Sequence, residues 1–154
     1  MAERTTTTRA AALVLAGGLA LAGAACGGGS KGLSKSDYLS RAKAVCQKGN
    51  QTLTSASDAV FAKLPPGQKL SDADIENFVR TTVIPTIRDQ VRELRTIPPP
   101  KGQKDKVEEI YNALDKGLDE LEKAPKKLTD GSNVFAEADS LATKYGISVC
   151  ATTG

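Results

Sequence analysis

Cysteines 26, 46 and 150 are the only thiols in a chain of 154 residues that contains no histidine. A thiolate is both a nucleophile and a metal ligand, so three cysteines could serve a metal centre, a thiol-exchange site or a disulfide. A metal centre is poorly supplied, because imidazole, the commonest transition-metal ligand and general base, is absent. Thiol exchange usually shows a Cys-x-x-Cys spacing, which this chain lacks. Met1 is the only methionine, so neither histidine nor an internal methionine is present to ligate a haem. There is no Gly-x-Ser-x-Gly elbow, phosphate-binding glycine loop or Asp-rich calcium loop. No catalytic residue, metal or cofactor is expected.

Carboxylates and arginines are what remains. Asp105, Glu108, Glu109, Asp115, Asp119, Glu120 and Glu122 crowd one segment. They could bind a hard cation or move protons only if they converged in a pocket. Lys104, Lys106, Lys116 and Lys123 lie among them, and pairs such as Lys104–Glu108 and Asp119–Lys123 have the i, i+4 spacing of exposed helix pairs. A solvated face is the expectation. Arg88, Arg92 and Arg95 form a basic stripe at i, i+4, i+7. Like charges so spaced oppose one another, so a counter-charge is required. The acidic segment that follows is one such partner; an anionic ligand, envelope polymer or lipid headgroup is the other.

The elements that must position these groups come from the pattern of apolar residues. Composition is that of a globular protein, 40% hydrophobic and 25% charged, with a net charge of +3. That balance, with aromatics at 4% and no tryptophan, gives no basis for nucleic-acid binding. Four segments show helical periodicity and almost nothing reads as strand. A first helix is expected over 35–64, capped by Ser34 or Ser36 and stopped by Pro65-Pro66-Gly67, with Tyr38, Ala42, Val45, Gly49, Leu53, Ala56, Val60 and Leu64 on one face. A second opens on Ser71, carries Val79, Val83, Ile87, Val91 and Leu94, and ends at Ile97-Pro98-Pro99-Pro100. Pro85 inside it removes a backbone hydrogen bond and predicts a kink. A third, over 105–124, presents Val107, Ile110, Tyr111, Leu114, Leu118 and Leu121. A fourth starts near Ser132 and closes at Gly146.

Short connections favour antiparallel neighbours, hence an all-α, up-down-up-down four-helix bundle over residues 35–154. An even number of helices returns the C-terminus to the end where the first began, which would bring Cys150 beside Cys46.

Residues 1–25 read differently. Arg4 and Arg9 precede an apolar run that ends in Leu21-Ala22-Gly23-Ala24-Ala25-Cys26, the pattern of a secretory signal. The run is about 16 residues, short of the ~20 that span a bilayer. Around Cys26 the segment resembles the lipobox of bacterial lipoproteins, although position −3 is Gly23 where that family usually has leucine. The resemblance implies cleavage before Cys26 and a diacylglycerol on its thiol. Residues 26–34 then form a glycine- and serine-rich tether. Acylation of Cys26 would leave Cys46 and Cys150 as an even pair in a compartment where disulfides persist. A bridge between them closes a loop of about 105 residues and stabilises by about 4–5 kcal/mol on a chain-entropy argument. If Cys26 is not acylated, the protein is freely secreted.

The segments Leu33-Ser34-Lys35-Ser36-Asp37-Tyr38, Ala44-Val45-Cys46-Gln47-Lys48, Arg92-Glu93-Leu94-Arg95 and Tyr145-Gly146-Ile147-Ser148-Val149-Cys150 resemble a family of small exported actinobacterial proteins. Those are helical domains with one early and one terminal cysteine, and the resemblance brings no catalytic residues. The functional expectation is a lipoprotein on the extracytoplasmic face of the cell membrane, held through Cys26. It would act without catalysis, as a binding or interaction module for an envelope protein or polymer. The alternative is a carrier of a small apolar or anionic ligand, for which a cavity near Pro85 would be the mark.

Overall fold

The structure, a computed structural model, describes residues 32–151. The expected signal segment, Cys26 and the tether up to residue 31 lie outside the described residues. Helix α1 spans Lys35–Phe61. Helices α2 (Asp72–Phe78) and α3 (Ile84–Arg95) are joined without a break by a π turn over Val79–Val83. Helix α4 covers Lys104–Lys123, and α5 Ala136–Tyr145. Counting α2, the π turn and α3 as one helix, four helices pack together, and no strand occurs among the described residues.

Local chemistry sets the boundaries. The Ser34 hydroxyl accepts from the Asp37 amide at 3.1 Å, so α1 begins one residue later. Ser71 and Asp74 form a reciprocal capping box at α2: each side chain accepts from the other's backbone N–H at 3.2 Å. Gly146 ends α5 with φ 108°, a left-handed conformation that glycine adopts without Cβ strain.

Two boundaries differ from expectation. Helix α1 stops at Phe61, and residues 62–64 continue only as tight turns. Helix α5 starts at Ala136 rather than near Ser132. There the Asp130 carboxylate accepts from the Ser132 amide and the Asn133 side chain accepts from the Phe135 amide. Side-chain oxygens thus take the amides that a helical turn would use.

Pro85 is accommodated by the π turn rather than by a simple lost bond. A proline ring clashes with the carbonyl four residues earlier, here Thr81. Widening the turn relieves this, and the Ile84 amide reaches back five residues to the Val79 carbonyl. The Thr81 hydroxyl also donates back to the Asn77 carbonyl at 2.7 Å, a bond that loosens helices.

Packing runs α1 on α3, α3 on α4 and α4 on α5, and the terminal turn Ser148–Cys150 closes the ring against α1. The core is one cluster from Tyr38 through Leu94, Tyr111, Leu118, Leu121 and Ile147. Cys46 and Cys150 are joined in a disulfide with Cα atoms 5.0 Å apart. Asn50 adds a bond to the Val149 carbonyl at 2.9 Å, so the chain's last turn is fixed on α1 twice.

Candidate functional site

Helix α1 is buried only through its first half. Tyr38, Ala42, Val45, Cys46 and Gly49 are covered; beyond them the same stripe, Leu53, Ala56 and Val60, is half-buried and Phe61 is 56% exposed. Length explains this. A helix of 27 residues runs about 40 Å and one of 10 about 15 Å, so α5 cannot cover the full height of α1. Its place is taken by the irregular segment 128–135.

A cleft of about 460 Å³ remains there, between α1, α3, α4 and that segment. Its apolar wall is Leu53, Phe78, Val83, Ile87, Val91, Leu114, Val134 and Phe135. Phe78 immediately precedes the π turn and Val83 is its last residue, so the widened turn before Pro85 sets the register of this wall. The margin is polar, with the charged Asp58 and Lys127 beside Asn50, Thr54, Ser57, Gln90, Ser132 and Asn133, and Cys150 closes one side. The volume falls in the range of small-molecule sites, and the composition, an apolar wall with polar groups at its margin, is theirs too. Phe135 is held in place by Gly117: a Cβ there would lie 2.5 Å from the Phe135 ring.

The arginine stripe is already answered by protein carboxylates. Arg88 pairs with Glu122 at 2.8 Å and Asp119 at 3.8 Å. Arg95 pairs with Asp115 at 2.8 Å and Glu108 at 3.6 Å, and its guanidinium lies 5.3 Å from the Tyr111 ring centre. Arg92 pairs within its own helix, with Asp89. Five carboxylates of α4 are thus engaged: Glu120 by Lys127, and Glu108, Asp115, Asp119 and Glu122 by arginines of α3. Among the described residues no three Cys, Asp or Glu side chains converge to hold a metal ion.

No family model, curated protein or solved structure matches this chain. Among the described residues no helix is long and apolar enough to cross a membrane.

By spacing alone Tyr38 and Tyr111 are ordinary stripe positions. All three of the chain's tyrosines meet at the end of the bundle where α1 begins. Tyr111 donates to the Leu94 carbonyl at 3.0 Å, which leaves Tyr38 to donate to Tyr111 at 2.7 Å. Tyr145 stands edge-on to Tyr38, ring centres 5.8 Å apart, and its buried hydroxyl has no hydrogen-bond partner among the described residues. Only the three-dimensional assembly brings residues so far apart in sequence together.

Proposed function

We propose that this protein is an exported lipoprotein, held at the extracytoplasmic face of the membrane by lipid on Cys26, and that its bundle is a non-enzymatic carrier of a small apolar ligand. The cleft beside the π turn is the observation that carries the ligand reading. The disulfide supports export, since such bonds persist in oxidising compartments. The signal-like segment, the lipobox and the resemblance to small exported actinobacterial proteins belong to the same reading. Of the two candidate ligand sites, the arginine stripe is the weaker, because acids of this chain occupy Arg88 and Arg95.

Titration with a polarity-sensitive apolar dye tests the cleft. One saturable site per chain is expected, at least tenfold weaker in Leu53→Lys. Leu53 is only partly buried, so the variant should keep its melting temperature. Absence of saturable binding, or binding indifferent to Leu53→Lys, would sink the carrier reading. Mass spectrometry of the protein extracted from its own envelope tests acylation at Cys26 and would show any ligand that travels with it.

A further inference from the structure

The end of the bundle where the described chain enters carries a second concavity, of about 560 Å³. Four lysines line it: Lys35 at the start of α1, Lys101 in the α3–α4 connection, Lys106 in the first turn of α4 and Lys144 in the last turn of α5. All four are exposed, and none forms an ion pair among the described residues. Glu109 is the one carboxylate on the wall. Other cations of this protein meet acids, as Lys116 meets Glu137 and Lys126 meets Asp72, and cations outside the cradle that form no ion pair among the described residues, such as Lys63, Lys69 and Lys123, line no part of this concavity. Here four cations from three helix ends and a loop face one anion, and the excess charge calls for a ligand bearing negative charge.

Position says which. Gly32 runs directly against the Pro99 carbonyl, and Lys35 lies 4.8 Å from the Tyr145 ring centre, so the cradle surrounds the point where the chain arrives from Cys26. Eight residues lie between Cys26 and Lys35, at most about 30 Å of extended chain from one to the other. On the lipid-anchored reading, on which this inference rests, the lysines are held within reach of the headgroup layer.

We propose that this lysine cradle is a docking site for the phosphate headgroups of anionic phospholipids, and that it seats this end of the bundle on the membrane. A single lipid attachment gains from a second, basic contact, since each lysine near an anionic surface adds about fivefold to binding. The cleft and the cradle are separate sites that share no lining residue.

The test uses the domain from Gly27 onward, whose core and disulfide lie within residues 32–151, so that no lipid anchors it. Sedimentation with vesicles of phosphatidylglycerol should recover the protein at low salt, and vesicles of phosphatidylcholine should not. Replacing Lys101, Lys106 and Lys144 together with serine should weaken binding about 100-fold. The same charge change at Lys63, Lys69 and Lys123, outside the cradle, should alter it by less than about fivefold. Melting curves of both variants confirm folding. Failure to bind phosphatidylglycerol, or equal loss in both variants, overturns the proposal. So does saturable binding of inorganic phosphate without vesicle binding, which would give the cradle to a dissolved anion. Acylation of Cys26, read by mass on envelope protein, stands or falls separately.

Discussion

Tyr111 and Tyr145 are both buried tyrosines, yet their hydroxyls are in opposite situations, and two minimal substitutions separate them. Tyr111→Phe would remove the acceptor of the buried Tyr38 hydroxyl and one of the donors to the Leu94 carbonyl, which keeps the Ile97 amide, so a loss of about 1–3 kcal/mol is expected. Tyr145→Phe removes a hydroxyl without a partner among the described residues, and stability should stay level or rise by about 1 kcal/mol. Urea unfolding of the two variants checks both signs. The same cluster governs the alkaline limb. Burial, and then the neighbouring Tyr38, push Tyr145 up to about 12; burial is also the main cause that raises Tyr38 and Tyr111 above the ordinary tyrosine range. Above about pH 10 the unfolded chain therefore loses tyrosine protons that the folded chain keeps. Stability is full below that pH and falls as pH rises, by about 1.4 kcal/mol per pH unit for each tyrosine. Urea midpoints should be level up to about pH 10 and drop steeply between about pH 10 and 12, and Tyr145→Phe should reduce the slope by about a third.

At the level of elements, two helical glycines that look alike in sequence have different neighbours. A Cβ on Gly117 would lie 2.5 Å from the Phe135 ring and 2.8 Å from the Val134 carbonyl, both fixed by packing or turn bonds. Gly117→Ala should overpack, at a cost of about 1–3 kcal/mol against a helix-propensity gain of about 1. It should also shift Phe135 and weaken dye binding in the cleft. Gly49 faces the end of the Gln90 side chain, which can swing aside, so Gly49→Ala should be neutral or gain up to about 1 kcal/mol. Thermal melts of the pair decide this. The helices themselves, with the caps at Ser34 and Ser71 and the stop at Gly146, were legible because local bonding and apolar spacing write them into sequence. The cleft was not. It arises because α5 is short and the π turn re-registers Phe78 against Val83, and periodicity carries neither fact. The lysine cradle was hidden for a related reason: its members come from four separate places in the chain, whereas the arginine stripe lies on one helix and announces itself.

For the whole molecule, the link that matters is the one between the first helix and the last turn. Cys46 and Cys150 stand 104 residues apart in sequence, and their bond closes almost the entire described chain into one loop. Constraining so long a segment of the unfolded chain stabilises the fold by about 4–5 kcal/mol on the entropic account. Cys46→Ser and Cys150→Ser should each lose about that much, seen as a melting temperature lower by roughly 15 °C. The doubly substituted protein should lose little more than either single one, because each substitution removes the same cross-link. Additive losses would show instead that the two sulfurs contribute by packing and not by their bond. The singly substituted proteins should still fold, since Ile147 is fully buried and Asn50 still holds the Val149 carbonyl. In them the terminal turn should open more readily. Amide exchange should then quicken at residues 147–151, before it changes in α3 and α4. Cys150 also borders the cleft, so the same variants should bind apolar dye more weakly. Dye affinity unchanged by loss of the cross-link would mean that the cleft is built by α1, α3 and the 128–135 segment alone.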